Sequence, residues 1–177
     1  MPKGGSLMNR GKKFEQVVRE AFEKNPNISI DRLPDPTGGY LGVRNICDFM
    51  IYKYPFQLYL ECKVQQGNTL NFESRISDNQ WNGLLEKSKI PGVVAGVLVW
   101  FVDHDITTFV PIQELERLRD GYGQKSLHVN HLNFRNNIPL EGRKKRIFFE
   151  YDAEGFLKSV GFWVNRYWAE HIKWGGK

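Results

Sequence analysis

The stretch from Val93 to Val102 is apolar throughout apart from Gly96, and it is rich in β-branched residues. Such a run does not suit a sheet with one wetted face; it fits a central strand covered by other elements on both sides. It stops at Asp103 after ten residues, well short of the roughly 20 needed to cross a bilayer as a helix. The chain therefore needs helices to cover the strand. One is predicted from Arg10 to about Lys24, where Phe14, Val17, Val18, Ala21 and Phe22 recur at helical spacing and Asn25-Pro26 ends the run. A second is predicted from Ser77, because Ser77-Asp78-Asn79-Gln80 has the form of a capping box and Trp81, Leu84 and Leu85 supply an apolar face; Pro91-Gly92 stops it.

Two further runs, Ile46 to Lys53 and Phe56 to Val64, flank Tyr54-Pro55. In the second, Phe56, Leu58, Leu60 and Cys62 alternate with Gln57, Tyr59, Glu61 and Lys63, the period of a strand with one buried face. In the first, Cys47, Phe49 and Ile51 alternate with Asp48, Met50 and Tyr52. With Tyr54 and Pro55 at the tip of a hairpin, Asp48 stands opposite Glu61 and Cys47 opposite Cys62. Asp48, Glu61 and Lys63 then share one face, and the two cysteines pack together on the other. A strand from Ile28 to Leu33 precedes the hairpin, and the breaker-rich stretch Pro34 to Asn45 reads as a loop suited to touching a substrate.

After a polar loop, Gln65 to Ile76, and the helix and central strand already described, Asp103-His104-Asp105 reads as a turn into a strand from Ile106 to Val110. A short helix follows Pro111, Ile147 to Tyr151 reads as a strand, and the aromatic stretch Phe162 to Trp174 holds a last helix. Gly121 to Arg146 has no clear periodicity. The order of elements describes an α/β sandwich with a central mixed sheet flanked by helices.

With 41% hydrophobic and 14% aromatic residues among 177, the chain can fill one core. The organisation expected is a loose Gly/Ser-rich tail over residues 1–8, without the apolar segment of a secretory signal, and one domain over 9–177. Two cysteines outside any C-x-x-C pattern point to a reduced, cytoplasmic protein without a disulfide framework. A formal charge of +5 favours an anionic partner, nucleic acid being the commonest.

Chemistry concentrates in Asp48, Glu61 and Lys63. Phosphodiester hydrolysis at neutral pH needs a divalent cation to neutralise charge and activate water. Mg²⁺, with Mn²⁺ as a substitute, takes carboxylate, carbonyl and water oxygens. Asp48 and Glu61 supply carboxylates, the Cys62 backbone carbonyl a further oxygen, and Lys63 a charge for the scissile phosphate or the attacking water. Glu61-Cys62-Lys63 is the only acid–x–Lys triplet in the chain.

Asp48, the thirteen-residue step to Glu61, and Glu61-Cys62-Lys63 resemble the active-site motif of restriction-endonuclease-like nucleases. Asn9-Arg10-Gly11-Lys12-Lys13-Phe14-Glu15 is similar to the opening of the RecU family of Holliday junction resolvases. The resemblance spans Asn9 to Phe109. It implies a restriction-endonuclease-like sandwich and a homodimer making paired nicks in branched DNA. It makes Asp48 and Glu61 the main metal ligands, Glu15 a third acid near the metal, Lys63 the catalytic lysine, and Gln80 a residue lining the site from the second helix. The chain departs from that family in two places. The stretch ahead of Asp48 is short where bacterial members carry a long stalk, and Ile46-Cys47 stands where they have hydroxyl residues.

Several residues keep two readings. Glu15 also fits a surface helix position, and Gln80 also fits the third position of its capping box. Arg10, Lys12 and Lys13, near a helix start, suit phosphate or plain solvation. Arg44 in the loop, and the run Arg143, Lys144, Lys145 and Arg146, suit the DNA backbone or an idle surface. Asp103-His104-Asp105 is better explained as a turn than as a metal cluster, and His128 with His131 lacks the partners of a zinc site. Trp163, Trp168 and Trp174 fit core packing before base stacking or the cover of a dimer interface. The rival functions are a sequence-specific restriction or repair nuclease on the same fold and a DNA-binding module without turnover.

Overall fold

A computed structural model of the chain describes residues 7–34 and 44–172. Helix α1 (Leu7–Glu23) is followed by strands β1 (Ser29–Arg32), β2 (Phe49–Lys53) and β3 (Phe56–Gln65). Next come β4 (Thr69–Asn71), the single-turn helix α2 (Phe72–Arg75), helix α3 (Asp78–Ser88), β5 (Val93–Phe101), β6 (Ile106–Pro111) and α4 (Ile112–Glu116). The described residues end with β7 (Ser126–His128), β8 (Ile138–Pro139), β9 (Gly142–Lys144), β10 (Phe149–Tyr151) and α5 (Ala153–Ile172). The central sheet runs β1-β2-β3-β5-β6-β8. Only β3 and β5 pair in parallel, so the sheet is mixed, and α3 lies in the crossover that a parallel pair requires.

Strand β5 shows why its sequence is apolar throughout. Val94, Leu98 and Trp100 face one core cluster, formed with Phe14, Val18 and Phe22 of α1 and Phe156, Leu157 and Val160 of α5. Ala95, Val97, Val99 and Phe101 face a second, formed with Trp81 and Leu84 of α3 and Ile112 and Leu115 of α4. The fold is an α/β sandwich with a mixed sheet between two helical layers. Gly96 permits the approach of β6: a Cβ there would stand 2.3 Å from the Val110 carbonyl oxygen. Among the described residues no helix is long and apolar enough to cross a membrane.

The hairpin register expected from the alternation holds from Phe49 opposite Leu60 to Lys53 opposite Phe56. The cysteines do not follow it. Cys47 is buried in the cluster on the α3 side, whereas Cys62 packs against the cluster on the α1 side. Pairing ends at Phe49, and upstream the backbone turns, so strict alternation no longer governs Cys47; its thiol lies 3.4 Å from the Phe49 carbonyl as a weak donor. Both cysteines are free.

The last helix begins at Ala153, nine positions before Phe162. Asp152 accepts a hydrogen bond from the Gly155 amide at 2.9 Å, and Phe156, Val160, Trp163 and Val164 form the stripe that seals the α1 layer. Trp163 is thus core, stacked on Tyr167 at 4.9 Å; Trp168 is half-buried, and Trp174 lies outside the described residues. The polar stretch Gln65 to Ile76 contains β4 and α2, and Gly121 to Arg146 contains β7, β8 and β9. The Asp103–Asp105 segment is a turn: Asp105 sits at φ 52°, Asp103 accepts from the Gly67 amide, and His104 meets Asn68. His128 spends its Nδ1 on the Asn130 amide.

Candidate active site

The site forms where β2 parts from β3. Beyond Leu60, β3 continues through Glu61, Cys62 and Lys63 with β5 on one side only. Asp48 fills the fork. Its backbone amide still bonds the Leu60 carbonyl at 3.2 Å, while its carboxylate accepts the Cys62 amide at 2.7 Å. The carboxylate thus replaces the ladder partner that β3 loses, which fixes it beside Glu61.

Glu61 is only 3% exposed. Its Oε1 accepts from the Lys63 ammonium at 2.7 Å and from Gln80 Nε2 at 2.5 Å. Gln80 uses its other end as well: Oε1 accepts the Ser77 amide at 3.1 Å, and Ser77 Oγ accepts the Gln80 amide, which closes the capping box of α3. One side-chain amide of Gln80 therefore both completes the capping box and meets Glu61. Lys63 Nζ also lies 3.5 Å from Gln80 Oε1.

Burial of two carboxylates side by side costs free energy in their charged forms. Burial first, and the neighbouring Glu61 charge second, push Asp48 up to about 7, against the pull of the Cys62 amide, Lys63 and Arg32. Glu61 is raised too, chiefly by burial, against Lys63 and Gln80. Cys62, behind them, is held as a neutral thiol well above its ordinary range by burial and the acids.

Glu15 lies near enough for its charge to raise Glu61 and Cys62 further. It pairs with Arg32 of β1 at 3.0 Å. Among the described residues no three His, Cys, Asp or Glu side chains converge as a metal-holding group. Arg32 was not among the residues singled out from the sequence. It reaches the site because β1 pairs with β2, setting Arg32 opposite Phe49, a pairing for which a four-residue strand carries no marker. Asn79 was missed as well. Its amide bonds the Arg44 and Asn45 carbonyls at 3.1 Å, while the Asn45 side chain bonds the Pro34 carbonyl, so both ends of the 34–45 stretch are held beside α3. Residues 35–43, most of the loop expected to touch substrate, lie outside the described residues, as do residues 1–6 of the expected tail.

The basic residues divide into groups. Lys12 lines a cleft of about 270 Å³ with Glu15, Arg19 and Arg32, and Lys13 bonds Gln16. Arg10 is half-buried and Arg44 exposed. Arg143 and Lys144 lie on β9, with Lys145 and Arg146 in the loop to β10. Lys144 pairs with Asp105 and Lys145 with Glu150 at 3.0 Å. The run stands on the α1 side of the sheet, apart from the carboxylates.

No family model matches the chain, and no match was found among curated proteins. Among solved structures, it is similar to Hjc of Archaeoglobus fulgidus, a Holliday junction resolvase from an archaeal hyperthermophile. The two share 20% identity over 60% of this chain and 81% of that one, with a TM-score of 0.46.

Proposed function

We propose that the chain is a divalent-metal-dependent DNA endonuclease of the restriction-endonuclease-like type, acting on branched DNA in the manner of RecU resolvases and as a homodimer. One observation carries the chemistry: the half-buried carboxylate of Asp48 and the buried one of Glu61 lie side by side at the fork with the Lys63 ammonium 2.7 Å from Glu61. A solvated strand face has no use for so costly a grouping, and a surface that only binds DNA gains nothing from acids facing phosphate. The donor set suits a hard cation, because both side chains offer oxygen and both are raised chiefly by burial, which a bound cation would offset. Asp48, Glu61 and the Cys62 carbonyl would hold Mg²⁺ or Mn²⁺, with Glu15 the nearest further acid. Such an ion supplies charge neutralisation at the scissile phosphate and a lower pKa for the attacking water.

The protein's own groups prepare the rest. Gln80 orients Glu61 and leaves it one oxygen for other partners. The Cys62 amide does the same for Asp48. Lys63 holds positive charge where the phosphate gains negative charge, and its stem is largely enclosed, so little reorganisation is needed during reaction.

The test is cleavage of a synthetic four-way junction beside a linear duplex of the same sequence, with magnesium. Paired nicks in the junction, and a junction affinity at least about tenfold above duplex, or roughly 1.4 kcal/mol, are expected. Cleavage of one short duplex sequence with no junction preference would favour a restriction enzyme; junction binding with no cleavage in either metal would favour a binding module.

The run Arg143 to Arg146 makes a separate expectation. Replacing all four cations by Gln should weaken binding to every DNA and flatten the log–log salt dependence by about 0.9 for each phosphate no longer neutralised. Since Lys144 and Lys145 already have acidic partners, most of the change should come from Arg143 and Arg146. An unchanged slope would return the run to idle surface.

A further inference from the structure

The loop between β9 and β10 carries a residue that its setting does not explain. Ile147 is 58% exposed, a bulky apolar side chain within the run Arg143-Lys144-Lys145-Arg146-Ile147. The loop is short, residues 145–148, and is closed by the Lys145 amide donating to the Phe148 carbonyl at 2.8 Å. Its base is anchored rigidly. Phe148 packs on Trp100 with ring centroids 5.4 Å apart, Phe149 packs on Trp100 and Tyr151, and the buried Tyr151 hydroxyl meets Thr107 at 2.8 Å. Neighbouring aromatic residues are thus consumed by the core while Ile147 is left at the tip.

We infer that this hairpin is a wedge: Ile147 inserts between stacked bases of DNA while the surrounding cations hold the flanking phosphates. The inference rests on the DNA-cleaving reading above and deepens it by naming how a branched substrate is opened. Charge and shape select the occupant. An exposed apolar tip ringed by cations fits a polyanion that hides apolar faces between its charges, and a rigid protruding tip can separate a base step and kink the duplex. Arg143 and Arg146 have no ion-pair partner among the described residues, so they are available to phosphate. Position agrees as well. Trp100 stands opposite Val64, the residue after Lys63, and Lys144 reaches Asp105 in the turn that follows β5. The tip and Lys63 thus lie at the same end of the β3–β5 pair, the tip on the α1 side of the sheet and Lys63 on the α3 side.

The experiment uses full-length protein in EDTA, so that its readout does not depend on cleavage. A four-way junction carries 2-aminopurine at the branch, with saturation followed by anisotropy. Wild-type protein and Ile147→Leu should raise the fluorescence at least about threefold, as expected when a base is unstacked, and Ile147→Ser should lose most of that rise while still saturating the DNA. Ile147 packs little, so the serine variant tests the tip without testing the fold. Equal fluorescence from Ile147→Ser and wild type would overturn the wedge. So would wild-type saturation without any rise, even with magnesium-dependent cleavage intact. Binding to vesicles containing phosphatidylserine but not to the junction would assign the tip to a membrane surface instead. Failure of cleavage with the fluorescence pattern intact would remove the nuclease reading and leave the wedge standing.

Discussion

Lys63→Ala is expected to lose at least about a hundredfold in turnover, the size seen when one preorganised charge leaves a transition-state site. The loss should fall on the chemical step. Lys63 is largely enclosed and bonded to Glu61 and Gln80, so it contributes little to the surface that meets the DNA backbone, and junction affinity measured without magnesium should stay within about threefold. The variant should also be somewhat less stable at high pH, because Glu61 loses the charge that most offsets its burial. Single-turnover cleavage beside anisotropy separates the two effects. A wild-type rate would remove Lys63 from the chemistry, and a parallel loss of affinity and rate would make it a binding residue.

Asp48→Asn should abolish metal-supported cleavage and, in EDTA, stabilise the protein. Its sign follows from linkage. Asp48 in the folded state is pushed up to about 7 from 3.8, so the folded state binds this proton more tightly than the unfolded chain does. The stability that the proton contributes is fully present below about 3.8 and is lost as pH rises through about 7. At pH 8 the wild type therefore carries the cost of ionising a half-buried acid beside Glu61, and asparagine does not. It can still accept the Cys62 amide. A gain of at least about 1 kcal/mol is expected at pH 8, seen as a Tm rise of about 2–4 °C, with little gain at pH 4. Magnesium or manganese should recover the same stability in the wild type at pH 8, less so at pH 5.5, and not in the variant. A variant less stable than wild type at both pH values would mean that the fork depends on the carboxylate as a structural acceptor.

Elements set by nearby residues were legible in the sequence, and those set by distant partners were not. The stripe on α1, the capping box of α3, the doubly covered β5 and the β2–β3 register each depend on residues a few positions apart. Short strands such as β7 and β8 have no periodicity of their own and exist because β4 and β6 pair with them. Arg32 reached the site through β1–β2 pairing, and Cys47 left its expected face because the ladder ends at Phe49, short of Asp48. The site followed the same division. Glu61 and Lys63 were legible as a strand face, whereas the bond from Asp48 to the Cys62 amide, and the pull of Arg32 on Glu15, required the backbone to be seen.

Because the amide of Gln80 closes the first turn of α3 with one end and seats Glu61 with the other, assembly and arming coincide. Until α3 forms and docks, Glu61 lacks the amide that aims it. A chain emerging during synthesis, or one loosened by heat, would lose an ordered carboxylate and an ordered helix start together. Under the DNA-cleaving function proposed above, this dependence acts as a safety catch: the half-made molecule is blunt.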